Sequence, residues 1–160
     1  QHDAGFITGS HNYVHDYPYQ VKGKVIAYRD QLNEKLTAVT GRGVSIMRAP
    51  GGDEKVYINE DVHLPLIHWT LVSADAGGNV KNPESEARRL ASKALDGDVI
   101  LCHDLRSGTA DYTQTLPQLL AARGFLCVTV EELFAVNGIE LAPNTVYFGV
   151  GSDSYEQRKD

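Results

Sequence analysis

No stretch of this sequence approaches the ~18 consecutive apolar residues that a membrane span requires, so the chain offers no obvious bilayer-crossing helix. Clustered basic residues are also missing. The 15 Lys and Arg are scattered and outnumbered by 21 Asp and Glu, which leaves a net charge of −6. That argues against nucleic acid as a partner, because phosphate binding needs a concentrated basic face. Cysteine is scarce. Cys102 and Cys127 both fall inside apolar runs and are expected to be buried free thiols packed as small hydrophobes; a disulfide between them stays open as an alternative. There is no internal repeat, no low-complexity stretch and no linker. The first residues, Gln1-His2-Asp3-Ala4-Gly5, lack the basic start and apolar core of a signal peptide. They run almost at once into a strand and do not read as the natural beginning of a protein. If the protein is secreted, its signal lies outside this sequence.

What remains is ordinary for a globular chain: 160 residues, 42% hydrophobic and 22% charged, enough for one compact domain with a core. The expectation is one domain over residues 1–150 and a polar, frayed tail over 151–160. Strand and helix patterns alternate. Phe6 to Ser10 reads as a strand between glycines. Val21, Val25, Tyr28, Leu32, Leu36 and Val39 recur in steps of three and four and predict one buried helical face, stopped by Gly41 and Gly43. Val44 to Met47 predicts a second strand, Glu54 to Asp61 a short helix, and Leu66 to Val72 a third strand. Asn82-Pro83-Glu84 is a helix start for a helix running to about Leu95. Asp98 to Cys102 reads as a buried strand. Asp111 to Ala122 predicts a helix bent at Pro117, Phe125 to Val130 a last strand, and Thr129 with Glu132 a capping box for a helix through Ala135. Five strands, each followed by a helix-sized connection, make an α/β protein with parallel strands. Ligand sites in such folds gather at the C-terminal ends of the strands.

The unusual polar residues fall at those ends. His11 and His15, four apart, can share one face of a turn and reach one metal, or they can be two exposed or hydrogen-bonded histidines. Arg48, before Ala49-Pro50-Gly51-Gly52, can hold a carboxylate or shape a cleft, or can be a surface residue beside a turn. His103, in Leu101-Cys102-His103-Asp104, shares a strand face with Leu101. It can act as a general acid or base or simply close the strand. Asp75, unremarkable by itself, could orient such a histidine.

In this order, from Gly5 to about Val136, these motifs resemble the polysaccharide deacetylase family, carbohydrate esterase family four. Gly5 through His15 is similar to the family's metal motif, Arg48 to Gly52 to its Arg-x-Pro-Tyr-Gly groove motif, and Trp69 through Asp75 to its Trp-x-x-Asp-x-x-Asp-Trp motif. Leu101 to Asp104 resembles Leu-x-His-Asp, and Arg123-Gly124-Phe125 to Val130, Glu132 and Leu133 resembles its last strand and helix. The resemblance implies a partial, distorted (β/α) barrel of parallel strands whose first strand-helix units are missing. It implies a divalent metal, zinc foremost, on His11 and His15. It implies His103 as proton donor to the leaving amine or alcohol, oriented by Asp75, and Arg48 steadying the catalytic base. Leu101 would line the acetyl pocket, with Pro50, Gly51 and Trp69 along the substrate groove. The implied activity is removal of acetyl groups from peptidoglycan, chitin or xylan by an extracellular or cell-surface parent protein.

The sequence also departs from the family. Thr-Phe-Asp-Asp-Gly, which carries the base and the third metal ligand, does not occur among these residues. Gly51 replaces the groove Tyr, Val72 a usual Asp, and Ala76 the Trp; Asp3 and Asp16 match no family position. The chain alone is therefore expected to have little or no activity, and its exposed sheet edges invite self-association. The alternative expectation is a non-catalytic carbohydrate- or metal-binding remnant of the same fold.

Overall fold

Local chemistry places the helices. The computed structural model describes residues 2–16 and 18–151. Along the chain come α1 (Pro18–Val21), α2 (Val25–Thr40), α3 (Lys55–Asn59), β1 (Leu66–Ile67), β2 (Leu71–Val72), α4 (Pro83–Lys93), β3 (Ile100–Leu101), α5 (Thr109–Ala122), α6 (Val130–Val136) and β4 (Val146–Tyr147). The helix expected to run unbroken from Val21 is divided around Lys22-Gly23-Lys24, where Lys24 N–H bonds to Val21 O at 2.8 Å. Gly41 ends α2 in the left-handed region at φ 72°, with its N–H on Thr37 O. Asn82 caps α4 by accepting from Ser85 N, with Pro83 at the first position. Thr129 and Glu132 complete the reciprocal capping box of α6. No helix among the described residues is long and apolar enough to cross a membrane.

The chain divides into two compact units. The first comprises Gln1–His68 and Gly138–Tyr147. Its strands are short but in register. Ser10 bridges Met47 and Met47 bridges Leu66, both parallel. Leu66 and Ile67 of β1 then pair parallel with Val146 and Tyr147 of β4. Backbone bonds carry the ladder, from Arg48 N to Ser10 O (2.8 Å), Ile67 N to Met47 O (2.7 Å) and His68 N to Tyr147 O (2.7 Å). Val21, Val25, Met47, Ala49, Tyr57, Val62, Leu64 and Leu66 form its core.

The second unit comprises Trp69–Asn137 and Phe148–Asp160. Here β2 pairs parallel with β3, Leu71 opposite Ile100 and Val72 opposite Leu101. Helices α4 and α5 pack together, and Leu71, Ala87, Leu90, Ala91, Ala94, Tyr112, Leu116 and Leu120 form the core.

Several expectations change. The strand expected over Leu66 to Val72 is two strands in two units, separated by His68, Trp69 and Thr70. Phe6 to Ser10 and Val44 to Met47 reduce to single bridges at Ser10 and Met47. Residues 125–129 form no strand, and Leu126 is 84% exposed; without a ladder partner among the described residues, β propensity alone makes no sheet. Cys127 on that segment is an exposed free thiol rather than a buried one, while Cys102 is half-buried and also free. Val39, expected on the buried face of α2, is exposed. β4 was not expected at all. Most of the tail over 151–160 lies outside the described residues.

Candidate active site

In the second unit, two parallel strands deliver Asp75 and His103 to the same end. Beyond β2 the chain turns through Ser73 and Ala74 to Asp75; beyond β3 it passes Cys102 to His103. The backbone of the first turn is held by an ion pair on α4. Buried Glu86 accepts from Ala74 N (2.7 Å) and from Arg89 Nε (2.8 Å), while Arg89 Nη2 also donates to Val72 O (2.9 Å). The bonds from Arg89 outweigh burial and keep the Glu86 carboxyl below its ordinary value.

Asp75 is wholly buried, so its charge needs compensation. Five donors supply it. Oδ1 accepts from Ser73 Oγ and from His103 Nδ1, the latter at 2.9 Å. Oδ2 accepts from His103 N (2.8 Å), Thr109 Oγ1 (2.9 Å) and Tyr112 Oη (2.6 Å). Burial by itself would raise this carboxyl, but the bonds from Ser73, Tyr112 and His103 prevail and hold it well below the usual carboxylate range. An ionised carboxylate only accepts, so Nδ1 of His103 carries the hydrogen and Nε2 is the nitrogen left for proton exchange. The His103 side chain is 31% exposed, so this ring, unlike its partner, reaches the surface of the unit.

These two carboxylates define an acid response. A carboxyl whose folded pKa is depressed contributes stability above its unfolded value, lost as pH falls toward the folded value. The ordinary values are 3.8 for Asp75 and 4.5 for Glu86. Stability is therefore expected to be level near neutrality and to fall progressively below about pH 4.5. The single tryptophan, Trp69, lies in this unit and reports it by fluorescence in urea titrations. A urea midpoint unchanged from about pH 6 to about pH 3 would contradict the assignment.

In the first unit, His11 and Arg48 follow the bridged residues Ser10 and Met47. His11 Nδ1 donates to Arg48 O at 2.7 Å, which orients the ring and would make Nε2 the nitrogen turned to a metal if one bound. The His15 ring lies edge-on to it, 5.0 Å between centroids. Two imidazoles of this kind suit zinc, cobalt or a similar divalent ion. The donor set is partial, since no group of three or more His, Cys, Asp or Glu that could hold a metal occurs among the described residues. Pro50 is buried and Gly51 exposed, so of these two it is Gly51 that presents a surface. Trp69 is partly buried and Leu101 is buried, 7% exposed.

Four residues escaped sequence reasoning. Ser73, Thr109 and Tyr112 surround Asp75, and His68 at the end of β1 makes a largely buried pair with Glu54. Tyr112 reads as a core position of a helix, which it is, and periodicity does not report where its hydroxyl points.

No family model matches the chain. The chain is 28% identical over 135 residues to the peptidoglycan-N-acetylglucosamine deacetylase PgdA of Listeria monocytogenes, an overlap of 82% of this chain and 28% of that protein. It therefore spans little more than a quarter of that relative's length. Its backbone matches a deacetylase solved with substrate at a TM-score of 0.78 and 26% identity, over 91% of this chain and 71% of that one. A family 4 acetyl xylan esterase from Clostridium thermocellum, solved with a cobalt ion, matches at 0.80 and 21% identity over 94% and 75%, a likeness of fold.

Proposed function

We propose that this chain, which resembles the polysaccharide deacetylases of carbohydrate esterase family four in sequence and in backbone, is the part of such an enzyme that carries its proton donor and two of its metal ligands. The reading rests first on the buried Asp75 carboxylate bonded to His103 Nδ1 at 2.9 Å. The chain is read as an incomplete, distorted (β/α) barrel, and its parent as an extracellular or cell-surface protein acting on acetylated polysaccharide.

Deacetylation is a hydrolysis. Water adds to the acetyl carbonyl carbon, the C–N or C–O bond breaks, and the amine or alcohol leaves with a proton. His103 supplies that proton from Nε2, and Asp75 stabilises the ring while it is charged. Leu101 gives the acetyl methyl an apolar wall. Arg48 steadies the carboxylate that acts as base, and Gly51 and Trp69, with Pro50 as support, border the substrate. A divalent ion on His11 and His15, zinc foremost, would polarise the water and the carbonyl.

The test is acetate release from N-acetylated chitooligosaccharide, peptidoglycan and acetylxylan with zinc or cobalt present. The chain alone is expected to release little or none. Joined to a polypeptide carrying Thr-Phe-Asp-Asp-Gly it should become active, and His103→Ala should then lose about 100-fold or more, the usual share of a general acid. Absence of release from the completed protein would favour the second reading, a carbohydrate- or metal-binding remnant, for which Gly51, Val72 and Ala76 speak.

Self-association belongs to the same reading. Residues 126–128 join no ladder among the described residues and are exposed, which offers their backbone to pairing with a second copy. Light scattering at rising concentration is expected to show dimers or larger species, and a monodisperse monomer throughout would remove the proposal.

A further inference from the structure

The ring of donors around Asp75 contains one that packing does not require. Tyr112 is fully buried among the apolar residues of the second unit, where phenylalanine would fill nearly the same volume. Its hydroxyl nevertheless meets Asp75 Oδ2 at 2.6 Å, closer than the two other donors to that oxygen. Burial, reinforced by the bond to Asp75, pushes the phenol well above its ordinary value, so it remains a donor at any working pH.

A carboxylate turns readily about its last torsion, which is broad and twofold. If Oδ2 were loosely held, Oδ1 would not stay opposite His103 Nδ1. Thr109 and Tyr112 are three apart on α5 and so share a face, and both donate to Oδ2. We propose that Tyr112 is a positioning residue for His103: by gripping Oδ2 it holds the carboxylate plane so that Oδ1 meets Nδ1, which fixes the histidine in the Nδ1–H tautomer and keeps Nε2 for the substrate. The significance of that tautomer rests on His103 being the proton donor of the proposed reaction, but the positioning itself can be read without turnover.

Long-range proton–nitrogen NMR spectra of the whole chain, recorded where the His103 ring is neutral, report its tautomer directly. The unsubstituted chain should show Nδ1–H predominating. In Tyr112→Phe the ratio of Nε2–H to Nδ1–H should rise about tenfold or more, the scale of one hydrogen bond to a charged group. Thr109 grips the same oxygen, so Thr109→Val should shift the ratio in the same direction while Thr109→Ser, which keeps the hydroxyl, should restore it. A folded Tyr112→Phe with an unchanged ratio would reduce Tyr112 to a core residue and overturn the proposal. Should Tyr112→Phe not fold, the Tyr112 hydroxyl proton of the unsubstituted chain decides: one that exchanges with water as fast as that of an exposed tyrosine overturns the grip on Oδ2 equally. A shifted ratio in a protein that proves to have no deacetylase activity would leave the positioning intact and sink only the proposed function.

Discussion

Replacing Asp75 by alanine is expected to destabilise the second unit by about 3–5 kcal/mol, the cost of removing one partner from a buried charge network. The number follows from what is left behind. Ser73 Oγ, Thr109 Oγ1, Tyr112 Oη, His103 N and His103 Nδ1 would all lose their acceptor. Each orphaned buried donor carries a desolvation cost of about 1–3 kcal/mol, partly recovered when water enters. Asp75→Asn should rescue the unit only in part, because an amide nitrogen at Oδ2 would oppose the His103 N–H, and one at Oδ1 would need Ser73 Oγ and His103 Nδ1 to turn acceptor. Urea unfolding followed by Trp69 fluorescence measures the loss. A decrease under about 1 kcal/mol would show that the five bonds carry little net stability.

Replacing both His11 and His15 by alanine is expected to abolish divalent-ion binding, with affinity for zinc falling more than about 100-fold. Loss of a residue that merely orients a ligand costs about 10–100-fold, so loss of both imidazoles should exceed that. Isothermal titration with zinc, and with cobalt as a second probe, reads the change. Neither substitution should disturb folding much, since His15 is exposed and His11 partly so. Unchanged affinity in the double variant would mean that the ion binds elsewhere and would end the metal assignment.

Helix ends were the most legible part of the fold. Asn82-Pro83, Gly41 and Thr129 with Glu132 act within one turn of chain, and the structure uses each as the sequence suggests. Strands were less legible because a strand depends on its neighbour. Leu66 to Val72 is a continuous β-forming run, yet its two ends pair with β4 and β3 in different units. Phe125 to Val130 looks equally strand-like and joins no ladder among the described residues. For the site, strand ends correctly brought Asp75 and His103 together. They also placed His11 and Arg48 side by side. What the sequence concealed was the surround of Asp75. Tyr112 and Leu116 are indistinguishable as apolar steps on a helix, although only one of them ends in a hydroxyl aimed at a carboxylate.

Two of the residues that donate to Asp75, His103 and Thr109, are joined by a short loop. Val80 N bonds to Ser107 O (2.9 Å), Ser107 N to Asn79 Oδ1 (3.1 Å) and Thr109 N to Arg106 O (3.2 Å). Gly108 precedes α5 at φ +84°, and a Cβ there would lie 2.4 Å from Val80 O, so no other residue fits without moving backbone. Loops usually accept length changes and serve as graft points. This one has no slack. An insertion or deletion between His103 and Thr109 would draw one donor away from Asp75 as it shifted the other. Under the proposed function, changes of substrate choice are better directed at the exposed Gly51 turn, where an added Cβ would meet nothing within 4 Å, although its φ of +66° favours glycine.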